Sequence, residues 1–112
     1  MRLTFLGKTT QGGGSPTLYA TDQDTYVVQG WKVVGKPSTT VEIPESLLEY
    51  LLPGTKLGAS LQPTGKRWHG DSGECDTYTL SGQAVTDPQA MDQMNIPGHE
   101  CSIEVGKLRE EI

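Results

Sequence analysis

Apolar residues in this chain fall in short alternating runs far more often than at the three- and four-residue spacing of helices. Residues 39–43 set Val41 and Ile43 against Thr40 and Glu42, the pattern of a half-buried strand. Residues 3–6 predict another short strand, followed by a flexible loop over residues 11–16 with its Gly-Gly-Gly-Ser-Pro run. Residues 17–20 and 25–34 predict a hairpin closed by Thr21-Asp22-Gln23-Asp24. One helix stands out: Pro44 suits a first helical turn, Leu47, Leu48, Leu51 and Leu52 form its apolar side, and Pro53-Gly54 stops it. Beyond it the pattern predicts a strand over 55–61, a Gly- and charge-rich loop over 62–74 and a strand over 77–85. Thr86 or Asp87 is placed to cap a short helix from Pro88 through Met94. A strand over 102–105 and a terminal helix over 107–112 complete the prediction.

The order of elements repeats. Laying residues 4–50 over 55–111 brings Thr4-Phe5-Leu6-Gly7 onto Thr55-Lys56-Leu57-Gly58 and Asp24-Thr25-Tyr26 onto Asp76-Thr77-Tyr78. At the second spacing Gly30 meets Gly82 and Val33 meets Val85, and further on Thr40-Val41-Glu42-Ile43 meets Ser102-Ile103-Glu104-Val105. A unit of that size is marginal alone, so two copies sharing a sheet would bury what one cannot. The expected fold is therefore α+β and mostly β: a single domain over 1–112, built from two divergent tandem repeats, about 1–52 and 53–112. These would form a pseudo-two-fold sheet or barrel with short helices, its symmetry broken by an insertion at 87–100.

Composition narrows the function classes. Nine Lys and Arg face 14 Asp and Glu, a net charge of -5, and such a field repels phosphate, so direct nucleic-acid binding is not expected. Residues 1–6 lack a signal-peptide core, and no run approaches the roughly 18 apolar residues of a membrane span. A cytoplasmic location with reduced cysteines is the expectation.

No candidate for catalysis survives its own requirements. Gly7-Lys8-Thr9-Thr10 resembles the end of a phosphate-binding loop, but Arg2 stands where that loop needs glycine. Gly70-Asp71-Ser72-Gly73 resembles the surroundings of a serine nucleophile, which also needs a buried His–Asp pair. His69, Cys75, His99 and Cys101 are all the histidines and cysteines present; their spacing fits no familiar zinc finger, although strand alternation would point His99 and Cys101 to one face. The expectation is no enzyme, no cofactor and no metal. Arg67 and Trp68, in the segment Lys66-Arg67-Trp68-His69-Gly70, together with Trp31, are the candidate partner-binding residues, because Trp and Arg are enriched at binding hot spots.

Two resemblances add to this. Residues 3–8, 15–22 and 25–33 resemble the amino-terminal half of a family of small uncharacterised actinobacterial proteins, in which a stretch similar to 85–100 follows sooner than it does here. Members of that family tend to lie near helix-turn-helix regulators, which implies a regulatory association and assigns no site residues. Separately, Val41-Glu42-Ile43-Pro44-Glu45-Ser46-Leu47-Leu48 and Leu52-Pro53-Gly54-Thr55-Lys56-Leu57 are similar to swapped-hairpin transcription factors of the AbrB and MazE kind. The basic residues that such factors present to DNA are missing, since only Lys32 and Lys36 precede the Ile-Pro and Glu42 interrupts. The leading expectation is a non-catalytic, regulatory protein-interaction module whose partner is another protein, for instance a transcription regulator, with homo-oligomers possible. The alternative is a DNA-binding, antitoxin-like or AbrB-like regulator.

Overall fold

The computed structural model describes residues 1–10, 15–70 and 73–110. Its nine strands are β1 (Leu3–Lys8), β2 (Thr17–Thr21), β3 (Thr25–Lys32), β4 (Thr40–Pro44), β5 (Thr55–Gly58), β6 (Gln62–Gly70), β7 (Gly73–Ser81), β8 (Gln83–Ala84) and β9 (Glu100–Arg109). All pairings are antiparallel, and β1-β2-β3-β4-β7-β6 follow one another while β9 joins β3, β5 and β8. The chain is thus mostly β, as the alternation predicted. Among the described residues, no helix is long and apolar enough to cross a membrane.

Two strands organise the sheet. Along one edge β3 pairs with β9 throughout, Tyr26 opposite Val105, Val28 opposite Ile103 and Gly30 opposite Cys101. Its other edge is divided, first to β2 and then, at Trp31 and Lys32, to β4. β9 likewise divides its second edge, between β8 at Ile103 and Glu104 and β5 from Gly106 onward. Strands diverging from a shared edge must bend out of its plane, and the backbones then close on each other where they part. A Cβ on Gly30 would lie 2.8 Å from the Glu42 carbonyl oxygen, and one on Gly82 would lie 2.5 Å from that of Glu104, so both positions require glycine's missing side chain.

The register of β4 against β7 places Ile43 opposite Tyr78 and Val41 opposite Leu80. Val41, Ile43, Ile103 and Val105 all enter one core with Leu18, Tyr26, Val28, Leu47, Leu57 and Leu80, the side of each strand that period-two alternation assigns to burial. Tyr26 is fully buried, yet its hydroxyl is used: it accepts from the Leu52 N–H at 2.9 Å and bonds Thr55. Tyr26→Phe should therefore cost about 1–3 kcal/mol, because Leu52 would keep a donor without its acceptor; urea unfolding measures it.

Several predicted elements are corrected. Residues 62–70 and 73–74 are strand and not loop: β6 pairs with β7 as a long hairpin, with a register shift between Pro63 and Arg67. Gly and Pro are tolerated there because β6 is an edge strand. The leucine-rich helix is a 3₁₀ turn over Glu45–Tyr50, with Pro44 belonging to β4 and Leu51 already extended beyond it. The strand predicted over 55–61 stops at Gly58, and that over 77–85 begins at Gly73 and splits at Gly82. Residues 107–109 prolong β9 instead of starting a helix, because β5 pairs with them. Most of the predicted 11–16 loop lies outside the described residues, as do residues 71–72 of the 62–74 prediction and 111–112 of the 107–112 prediction. The short helix α1 (Pro88–Asp92) is capped as predicted, Asp87 accepting from the Ala90 N–H.

Candidate functional site

The path β3-β4-β7-β6 presents two faces. One is the core, and on the other directly opposed residues line up across the strands: Trp31 stands opposite Glu42, and Glu42 opposite Thr79. Two residues back along β7 is Thr77, and two further is Cys75, opposite Trp68 of β6. Period two therefore puts Trp31, Glu42, Thr77 and Trp68 on one side. The two indoles meet there, with ring centroids 5.8 Å apart and planes inclined by 50°. Such tilted aromatic pairs contribute about 0.5–1.5 kcal/mol beyond the area they bury. Both rings stay half-exposed, and with Glu42, Lys66, Arg67 and Thr77 they line an open hollow. Trp68 lies against its own strand over Gly70, where any side chain would collide with the ring.

Polar groups beneath the rings are held in a chain. Thr64 and Thr77 share a hydroxyl hydrogen bond, Thr77 donates to Glu42 at 2.8 Å, and Lys66 Nζ reaches the other Glu42 oxygen at 3.3 Å. The Lys66 N–H donates to Thr64 Oγ1. A second network with the same parts lies elsewhere on the sheet: Thr21 bonds Thr25, Thr25 donates to Glu104 at 2.7 Å, and the Gln23 N–H donates to Thr21 Oγ1.

Of the three sequence-selected residues, the structure brings the rings of Trp31 and Trp68 together, while Arg67, which also lines the hollow, has its guanidinium tied up in ion pairs. Arg67 opposes Asp76, and its guanidinium bonds Glu74 at 3.0 Å and Asp76 at 2.8 Å. Those hydrogen bonds raise its pKa above the usual arginine value, while that of Glu74 is lowered, first by Arg67 and then by His69. Water screens this exposed cluster, so its ion pairs contribute little to stability.

The histidines and cysteines do not assemble. Cys75 faces Trp68, His69 lies 3.4 Å from Glu74, Cys101 opposes Gly30, and His99 lies 3.8 Å from Glu100. Among the described residues, no three of the His, Cys, Asp and Glu side chains gather closely enough to hold a metal ion. Gly7 and Lys8 belong to β1, and Asp71 and Ser72 lie outside the described residues.

Sequence reasoning missed two residues of note, Gln29 and Glu100. Both are buried on the face opposite the core, where Gln29 donates to Glu100 at 2.7 Å. Alternation alone assigns Gln29 to a polar face, and nothing local signals that residues 93–99 cover it. Comparison of the chain with protein-family models, curated proteins and solved structures finds no match.

Proposed function

We propose that this chain is a non-catalytic protein-interaction module, regulatory in role and acting in the cytoplasm, that binds another protein through the Trp31–Trp68 face. The observation that carries this reading is the meeting of two partly exposed indoles, from strands far apart in sequence, beside a hydrogen-bonded Thr-Thr-Glu-Lys chain. Rigid aromatic anchors with a polar surround are what hot spots are made of.

The same proposal includes descent of the two halves from one unit, with strands exchanged between them as in swapped-hairpin proteins. Register supports it: Tyr26 opposite Val105 matches Tyr78 opposite Ile43, and Val28 opposite Ile103 matches Leu80 opposite Val41. Trp31 opposite Glu42 matches Gln83 opposite Glu104, and Gly30 and Gly82 make the corresponding close approaches. The two Thr-Thr-Glu networks correspond as well. The likeness stops at β1 and β5, since β1 pairs with β2 and β5 with β9. Under this symmetry Gln83 stands where Trp31 stands in the first half. Trp31 packs on Trp68 and keeps part of its ring exposed, a surface that Gln83 does not offer.

The test is capture from native extract by the immobilised chain, with a Trp31→Ala, Trp68→Ala double variant and a Gln83→Ala control. A partner retained by wild type and control and lost from the double variant supports the reading. Capture indifferent to both tryptophans refutes it, as does salt-sensitive retention of duplex DNA by the purified chain at physiological ionic strength.

A further inference from the structure

Gln29 and Glu100 meet with too few donors. The Gln29 amide nitrogen uses its hydrogens on Asn95 O at 2.8 Å and Glu100 Oε1 at 2.7 Å. That leaves Gln29 Oε1 and Glu100 Oε2 as buried acceptors that no donor reaches among the described residues. Glu100 is 2% exposed and Gln29 1%, and an ionised carboxylate in such a place is costly unless fully paired.

Charged and titratable neighbours offer no full pairing. From the covering segment, His99 Nε2 stays 3.8 Å from Glu100 Oε2 and its side chain is 66% exposed, so solvent weakens the attraction. From β2 comes Tyr19, whose hydroxyl is pushed up by burial and then by Glu100's charge. On β9, Cys101 is raised chiefly by burial, with Lys32 at the end of β3 acting against that shift and Glu100 adding to it. Asp92, the charged residue of α1, is exposed.

We infer that Glu100 is a proton-operated latch: as a neutral acid paired with the Gln29 amide it holds residues 93–99 against β3 and β9, and loss of its proton to solvent loosens that segment. The proton on Oε2 converts one orphaned acceptor into the missing donor and removes the buried charge. The segment it holds is tied to the sheet by Asn95 O on Gln29, by Ser102 Oγ donating to Met94 Sδ at 3.4 Å, and by the Lys32 N–H donating to His99 O at 2.9 Å. Burial is the largest influence on the carboxyl and raises its pKa, against the Gln29 hydrogen bond and His99, which lower it. A folded value above the unfolded one means that the contribution is complete below the ordinary glutamate range and disappears as pH rises through the folded value. Glu100 stands directly opposite Trp31, so the latch adjoins the aromatic face, but it operates whether or not that face binds a partner.

Carbon-detected NMR titration of the Glu100 carboxyl in the full chain tests this, alongside hydrogen exchange of the 93–99 amides across the same pH range in wild type and Glu100→Gln. The expected result is a Glu100 midpoint above the ordinary glutamate range. With it should come a tenfold or greater loss of protection through that midpoint, absent from Glu100→Gln, whose amide keeps a donor at that position without titrating. A midpoint within or below the ordinary glutamate range overturns the latch, as does the same protection profile in both proteins. If Glu100→Gln does not fold, the wild-type midpoint and the coincidence of its protection loss with that midpoint decide the matter.

Discussion

Alanine at Gly82 or at Gly30 is expected to destabilise the protein by about 1–3 kcal/mol, the usual cost of forcing a methyl into filled space. At Gly82 the new carbon would meet the Glu104 carbonyl oxygen at 2.5 Å and Val105 Cγ1 at 2.8 Å; at Gly30 it would meet the Glu42 oxygen at 2.8 Å and Val41 and Ile43 at 3.0 Å. The obstacles are backbone and core atoms, which cannot swing aside as the end of a long side chain would. Glu104 and Glu42 are each paired on both edges, so neither backbone can yield, and the approach at Gly82 is the shorter of the two. Gly82→Ala should therefore cost at least as much as Gly30→Ala. Gly98, with nothing within 4 Å of an added Cβ, is the control and should stay within about 0.5 kcal/mol of wild type. Urea midpoints measure all three, and a Gly82→Ala protein as stable as Gly98→Ala would contradict the close approach of the two strands.

Truncation of Ile103 to alanine should be costlier still, about 2–5 kcal/mol, with Ile103→Val about 0.5–1.5 kcal/mol. Ile103 is fully buried and stands opposite Val28 on one edge and Ala84 on the other, at the point where β9 joins β3 to β8. The core cluster around it draws on both halves of the chain, from Leu18 to Val105, so no neighbouring element is free to collapse into the space left. Val34→Ala, at a fully exposed site, should change little. Equilibrium unfolding of the series decides the point: a loss for Ile103→Ala no greater than for Val34→Ala would mean that the packing at this crossing is not as described.

Legibility in the sequence followed the range of the interactions. The β2–β3 hairpin could be read because two apolar runs and the polar turn between them are local properties of 17–32, and the α1 cap because Asp87 and Pro88 are adjacent. Residues 62–70 were misread because their Gly, Pro and charged residues suit a loop as well as an edge strand, and only the partner β7 makes them a strand. Leu108 and Arg109 were misread for the same reason, β5 being the partner. Trp31 and Trp68 could be singled out as residue types, but their approach depends on the order β3-β4-β7-β6, to which no short-range pattern responds. Arg67, chosen on the same grounds, has its guanidinium paired with Glu74 and Asp76, a consequence of hairpin register.

By itself the sequence determined which stretches alternate, which side of each strand is apolar, where Pro44 and Pro53-Gly54 punctuate the chain, and the acidic balance that sets it against phosphate. These follow from covalent geometry and side-chain chemistry within a few residues. Only the tertiary structure decided that β3 and β9 each divide an edge between two strands, that Gly30 and Gly82 sit where those strands part, that the two indoles meet, and that Gln29 and Glu100 are buried together. Each depends on which distant strands share an edge, and that choice is made by the summed burial of one core.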